Sequence, residues 1–268
     1  MDLGLKKRVA LVTGSSDGIG YEIAYSLAQE GVDVIIHGKN QNKIIKVAEI
    51  IRRNHKVRSY HFAADVGQPK QIEYWFQDVM PTIGQLDILV NNIGGIAGIK
   101  KFEEISDQEW YDSFTFNFMS AVRFTRLALP YLKQSDQARI INLGTESTLQ
   151  PGCNSPQYSA SKTALVNLSS SLSASLAEHN ILVNTICPST IRGGSWYRKV
   201  EDISKTENIS LGDAEKKLEE LASTKVPLKR VGLTEEVANM VVLLASKQAS
   251  YITGETIFID GGTKRSIF

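Results

Sequence analysis

Short apolar runs alternate with longer amphipathic stretches along most of this chain. Val9-Ala10-Leu11-Val12 is brief and wholly apolar, which predicts a strand buried on both faces. After Gly18, the residues Ile19, Ile23 and Leu27 recur at i, i+4 and i+8 with Ala24 and Ala28 beside them, which is one face of a helix. The same rhythm predicts strands at 32–36, 57–62, 87–92, 139–143, 181–186 and 256–260. Helices are predicted at 42–53, 68–83, 106 to about 129, 155–177 and 234–245. Pro69 suits the first turn of its helix, and Ser106 with Glu109 three residues on forms a capping-box pattern. Strands alternating with helices predict an α/β fold: a doubly wound parallel sheet of about seven strands with helices on both faces.

The rhythm breaks at 192–224, a polar region with Gly193-Gly194 and a charged run at 213–220. It reads as an insertion of one or two amphipathic helices within a single catalytic domain spanning 1–268. Because it follows the sixth strand, where open α/β sheets bind ligands, a lid is expected there.

Composition narrows the picture only modestly. The chain has 268 residues, 42% of them hydrophobic, enough for one large core. Its formal net charge of +1 gives no reason to expect nucleic acid or an anionic membrane as a partner. No apolar run approaches the roughly 18 residues of a membrane span, and the first residues do not resemble a secretory signal. Cys153 and Cys187 make no disulfide framework, so a reducing, cytoplasmic setting is expected. The four histidines are scattered without metal-ligand spacing, and no metal is expected.

Two short runs carry the chemistry. Thr13-Gly14-Ser15-Ser16-Asp17-Gly18-Ile19-Gly20 lies between the first strand and the first helix. A glycine-rich turn there lets a pyrophosphate approach a helix N-terminus. Tyr158-Ser159-Ala160-Ser161-Lys162 puts a phenol and an ammonium one helical turn apart on one face. The first run implies a dinucleotide and the second implies proton transfer, so together they read as a carbonyl/alcohol oxidoreductase. An ammonium near a phenol favours the phenolate, which an acid/base group working near neutral pH needs.

The spacing Thr-Gly-x-x-x-Gly-Ile-Gly resembles the classical short-chain dehydrogenase/reductase family, and the resemblance extends over nearly the whole chain. Asp65-Val66 resembles the family's adenine-contacting pair, and Asn91-Asn92-Ile93-Gly94 resembles its Asn-Asn-Ala-Gly motif. Asn117 matches the family's helix asparagine, Tyr158 and Lys162 match Tyr-x-x-x-Lys, and Tyr251 to Gly254 and Asp260-Gly261-Gly262 resemble its C-terminal segment. The resemblance implies a Rossmann-type fold and cofactor contacts at Gly14, Ser15, Ser16, Gly18, Ile19, Gly20, Lys39, Asn40, Asp65, Val66, Asn92, Gly94, Tyr158, Lys162 and Ile191. It implies Tyr158 as general acid/base, Lys162 as ribose anchor and Asn117 as support of a proton relay. A homotetramer, or a homodimer, is the family's usual assembly.

Three departures matter. No carboxylate follows the second strand in Ile36-His37-Gly38-Lys39-Asn40; Lys39 stands where NADP-binding members carry a base. NADP(H) is therefore expected ahead of NAD(H), with Asp17 as an opposing charge nearby. The family's substrate-orienting serine is Thr145 here, with Ser147 as the alternative. A threonine five residues after the sixth strand's proline is replaced by Gly193, which leaves Thr190 or Ser195 for the carboxamide end. The expected substrate is a small carbonyl compound or secondary alcohol. The alternatives are a 3-oxoacyl thioester carried on acyl-carrier protein, and a catalytically silent nucleotide-binding regulator.

Overall fold

The structure is a computed structural model, and residues 2–265 are described. Seven parallel strands form one sheet in the order β3-β2-β1-β4-β5-β6-β9. They are β1 (Val9–Val12), β2 (Asp33–Gly38), β3 (Ser59–Ala63), β4 (Ile88–Asn91), β5 (Arg139–Leu143), β6 (Leu182–Pro188) and β9 (Thr256–Ile259). Two further short strands, β7 (Ile191–Arg192) and β8 (Gly232–Leu233), pair with each other apart from the main sheet. The doubly wound fold predicted from the apolar rhythm is the fold observed.

Alternate residues of each central strand serve opposite faces, as a pleated strand requires. Ala10 and Val12 join a core with Ile23, Ile36, Val90 and Val241. Their neighbours Val9 and Leu11 join a second core with Ile35, Phe62, Leu89 and Phe124. The first face is covered by α1 (Gly18–Gln29), α2 (Gln41–Asn54) and α10 (Thr234–Ala245). The second is covered by α3 (Pro69–Asp78), α6 (Ser120–Leu132) and α7 (Pro156–Leu176). Strand order reverses between β1 and β4, and the crevice at their carboxyl ends is where such sheets bind dinucleotides.

Three local features differ from the sequence expectation. The helix expected over 68–83 breaks at Val79 into α3 and a short α4 (Met80–Ile83). Pro81 has no N–H to donate back to Gln77, so the ladder cannot run through. The helix expected from Ser106 towards Leu129 is instead α5 (Asp107–Phe114), a π-turn over Thr115–Met119, and then α6. Its capping box is present, with Ser106 Oγ accepting from Glu109 N–H and the Glu109 carboxylate accepting from Ser106 N–H. The 192–224 region holds two helices, α8 (Gly194–Glu207) and α9 (Leu211–Ser223). They are amphipathic as expected, and Trp196, Val200 and Ala214 pack with Val231 into a small buried core of their own.

Candidate active site

The turn between β1 and α1 is built before any ligand is considered. Gly14 and Gly18 adopt φ of +64° and +58°, a conformation glycine takes without strain. Gly20 lies so close to the turn that an added Cβ would sit 2.4 Å from the Gly14 carbonyl oxygen. At the N-terminus of α1, Asp17 makes no side-chain cap and the first turn carries no acid. The first amides of α1 therefore keep their donors for an anion, which is the arrangement that suits a pyrophosphate. The fit is chemical as well as steric, so the residues present accommodate a dinucleotide.

His37 holds the turn in place, a part no sequence motif marks. Its Nδ1 accepts from Gly14 N–H at 3.2 Å, and its ring packs edge-on against Phe62 and Phe124. Burial pushes its pKa down to about 3, so the imidazole is neutral and free to accept. Ser15, expected among the cofactor contacts, is committed elsewhere. Its hydroxyl donates to Val12 O and accepts from His37 N, and its amide donates to His37 O. Ser15 thus shapes the turn from inside, because a fully buried hydroxyl has no reach outward. Asn92 does similar work, with Nδ2 donating to Thr13 O and Gly14 O.

At the adenosine end, Ser16 packs against Gly38, Asn40 caps α2 by accepting from Lys43 N, and Val66 is buried. Lys39 Nζ lies 2.7 Å from the Asp65 carboxylate and Lys43 Nζ lies 3.7 Å from that of Asp17. The Lys39 ammonium holds the Asp65 carboxyl below the usual carboxylate range. Asp17, read from sequence as an unfavourable charge, is offset by Lys43. Both lysines are largely exposed and so available to a phosphate arriving from solvent.

The Tyr158–Lys162 face of α7 points to the carboxyl ends of β4 and β5. Lys162 is buried, and its Nζ donates to Ile93 O at 3.1 Å and Leu143 O at 2.7 Å. Burial pulls its pKa down to about 8. Gly94 must be glycine at this approach, since a Cβ there would meet Lys162 Nζ at 2.4 Å. Tyr158 is half-buried. Burial raises the phenol above its ordinary value, a hydrogen bond with Thr145 opposes that rise, and Cys187 and Glu146 add to it. Lys162 is not among the groups moving the phenol in this arrangement; its protons go to the two carbonyls.

The π-turn explains Asn117. It turns this side chain inward, where Asn117 is 1% exposed and Oδ1 accepts from Gly95 N at 2.8 Å. Nδ2 donates to Ser113 Oγ, which in turn donates to Gln157 O on α7. Asn117 is thereby tied to both the 94–95 loop and the start of α7. Thr145 meets Tyr158, whereas the Ser147 hydroxyl is buried without a hydrogen-bond partner. Glu146 between them, unmarked by any motif, has a buried Oε2 also without a partner. Ile191 lies in β7 opposite Gly232, and Thr190 O accepts from Gly232 N. A side chain at 193 would be crowded: its Cβ would lie 3.3 Å from Thr234 Cγ2 and 3.7 Å from Gly18 Cα.

An uncapped helix N-terminus at the switch point, facing a phenol and an ammonium across the strand ends, defines a dinucleotide-linked oxidoreductase. Comparison with known proteins agrees. A family model described as enoyl-(acyl carrier protein) reductase matches residues 14–264. The NADPH-dependent reductase BacG of Bacillus subtilis is 35% identical, over 98% of this chain and all of that protein. The 3-oxoacyl-[acyl-carrier-protein] reductase FabG of Aquifex aeolicus is 32% identical, over 98% of this chain and 99% of its own. The crystal structure of L-sorbose reductase from Gluconobacter frateurii, complexed with NADPH and L-sorbose, superposes with a TM-score of 0.94 at 31% identity, covering both chains fully. The chain belongs to the classical short-chain dehydrogenase/reductase family. Among the described residues no helix is long and apolar enough to cross a membrane.

Proposed function

We propose that this protein is an NADP(H)-dependent reductase of a small carbonyl compound, and the reverse dehydrogenase of the corresponding secondary alcohol. The observation that carries the reading is the buried Lys162 ammonium, one helical turn from Tyr158 and held at the carboxyl ends of β4 and β5, beside an anion-ready helix N-terminus. Gly18, Ile19 and Gly20 would hold the pyrophosphate, Lys39 and Asn40 the 2′-phosphate end, Asp65 and Val66 the adenine, and Lys162 the nicotinamide ribose. When bound, the nicotinamide supplies the hydride, with its two electrons, that the carbonyl carbon accepts.

Tyr158 and Thr145 both direct hydroxyls at the carbonyl oxygen. As negative charge develops there, Tyr158 gives up its phenolic proton to complete the alcohol. Thr145 holds the oxygen in line, and its hydrogen bond favours the phenolate left behind. The charged form of Lys162, which burial makes labile near neutral pH, stabilises that phenolate and exchanges its carbonyl partners for ribose hydroxyls. Asn117 fixes the 94–95 loop under the ribose and supports the path by which the phenol is reprotonated. The α8–α9 segment, whose Gly193-Gly194 start runs against Gly18, serves as the lid over the nicotinamide end. Tyr111 and Phe116 leave an exposed apolar strip beside α5, which supports assembly with further copies of the chain.

The test is oxidation of NADPH and NADH against ketones, quinones, keto sugars and 3-oxoacyl thioesters. NADPH-linked turnover of a small ketone that is lost in Tyr158→Phe is the expected outcome. Preference for 3-oxoacyl thioesters would replace the substrate assignment, and tight NADPH binding without turnover of any carbonyl would overturn the reading.

A further inference from the structure

Arg123, on α6, belongs to no motif of the sequence, yet its guanidinium reaches the loop between β3 and α3. Its Nη1 donates to Val66 O at 3.0 Å, and among the described residues that carbonyl is its only hydrogen-bond partner. The rest of the loop is fixed from within and from neighbouring elements. Ala64 N–H donates to Gly38 O and Gln68 N–H to Asp65 O. Asp65 N–H donates to Gln71 Oε1, and Gly67 N–H to Asp65 Oδ1. Of the amides from 64 to 68, that of Val66 alone has no acceptor among the described residues.

The Asp65 side chain is 32% exposed and Gly67 is open to solvent, so the loop can be reached by a ligand. It offers a carboxylate that accepts next to an N–H that donates. Adenine carries the matching edge, an exocyclic amine that donates beside a ring nitrogen that accepts. The direction of the Val66 N–H depends on two peptide groups. Gln68 fixes the first through Asp65 O, and Arg123 fixes the next through Val66 O. We propose that Arg123 is a positioning residue for the cofactor, holding the 65–67 loop so that it reads the Watson–Crick edge of adenine. The assignment rests on the NADP(H) reading of the same site.

The segment around Arg123 extends this role beyond one loop. Asn117, in the π-turn that leads into α6, accepts from Gly95 N–H at the nicotinamide-ribose end. Phe124, next to Arg123, packs edge-on against His37, the acceptor for Gly14 N–H in the pyrophosphate turn. One segment, 117–124, thus supports all three cofactor loops, and Arg123 is its contact at the adenine end. It acts through a carbonyl and not on a phosphate.

The experiment measures calorimetric binding of NADP⁺ and of its hypoxanthine analogue to wild type, Arg123→Met and Arg123→Lys. Hypoxanthine carries an oxygen and an N–H where adenine carries an amine and a bare nitrogen. It therefore sets acceptor against acceptor and donor against donor, and wild type should prefer NADP⁺. Arg123→Met should weaken NADP⁺ binding on the order of 10-fold, as loss of a charged-donor hydrogen bond predicts. The analogue should weaken much less, so the preference shrinks. Arg123→Lys, whose ammonium can still donate to a carbonyl, should recover part of it, and it carries the comparison if methionine prevents folding. In turnover the change should fall on KM for NADPH and not on kcat.

Equal weakening of both dinucleotides would make Arg123 a phosphate contact or a general prop and overturn the proposal. A wild type indifferent to the base, or variants that bind both dinucleotides as wild type does, would overturn it too. A preference that shrinks in Arg123→Met, in a protein that turns over no carbonyl, would remove the reductase reading and keep the role of Arg123. Turnover with an undiminished preference in Arg123→Met would do the opposite.

Discussion

His37 offers a quantitative check on how the cofactor turn is held. Its Nδ1 accepts from Gly14 N–H, so the ring cannot take a proton there without losing that bond. Burial sets its pKa near 3 in the folded protein, against an ordinary value of 6.5. The unfolded chain therefore binds a proton below pH 6.5 that the native state refuses. The stability due to neutral His37 is present in full above pH 6.5 and is lost as pH falls from 6.5 towards 3. Over the two units from pH 6.5 to 4.5 the loss is on the order of 2 kcal/mol. The perturbation is His37→Asn, whose side-chain carbonyl retains an acceptor for Gly14 N–H and does not titrate. That variant is weaker overall because it loses the packing on Phe62 and Phe124, so the comparison is of pH slopes. Urea unfolding of both proteins at pH 7.0 and 4.5 supplies it, with carboxylate titrations common to both cancelling. Wild type should lose on the order of 2–3 kcal/mol more than His37→Asn. Parallel losses would refute the buried neutral imidazole, and with it this account of the turn.

Other consequences follow from single contacts. Lys39→Ala should raise KM for NADPH roughly tenfold, about 1.4 kcal/mol, with little change for NADH, as steady-state kinetics with each cofactor will read. Equal effects on both cofactors would remove Lys39 from the 2′-phosphate site. Gly20→Ala forces a Cβ against Gly14 O and Asn92 Nδ2, and overpacking of that kind costs about 1–3 kcal/mol. Its melting temperature should drop and its NADPH affinity should fall; a variant with wild-type values would contradict the close approach. Lys162, held near 8 by burial, loses its charge as pH rises through that value. Carbonyl reduction should decline along one alkaline limb near pH 8, and a limb near 10 would show that the lysine is not desolvated as described.

Much of this was legible in the sequence because local rules and tertiary packing agree. The apolar runs at Val9–Val12 and Arg139–Leu143 are strands, and the helix expected over 234–245 is α10. The capping box at Ser106 and Glu109 formed as its spacing requires. The glycine turn and the Tyr158–Lys162 pair were visible because each depends on spacing within one element.

What escaped depends on contacts between distant segments. The π-turn that buries Asn117 has no spacing signature, since its inward direction is fixed by Gly95 and Ser113. His37 belongs to no spacing pattern in the sequence, and only the fold shows it under Gly14. The strand pair β7–β8 is two residues long on each side and far below the length at which alternation shows. The burial of Trp196 in the insertion depends on α9 folding back, with Glu215 accepting from its indole N–H. Glu146 carries no signal at all in one dimension. That its Oε2 is buried without a hydrogen-bond partner is visible only in the fold.

The central claim is tested most directly by following the hydride itself. The protein is supplied with NADPH deuterated at nicotinamide C4 on each face in turn, together with the best carbonyl substrate from the panel, and the alcohol is examined by mass spectrometry and NMR. The account predicts one deuterium on the former carbonyl carbon from one face only, with transfer abolished in Tyr158→Phe while NADPH still binds. Deuterium absent from that carbon, or transfer undiminished in Tyr158→Phe, would contradict it.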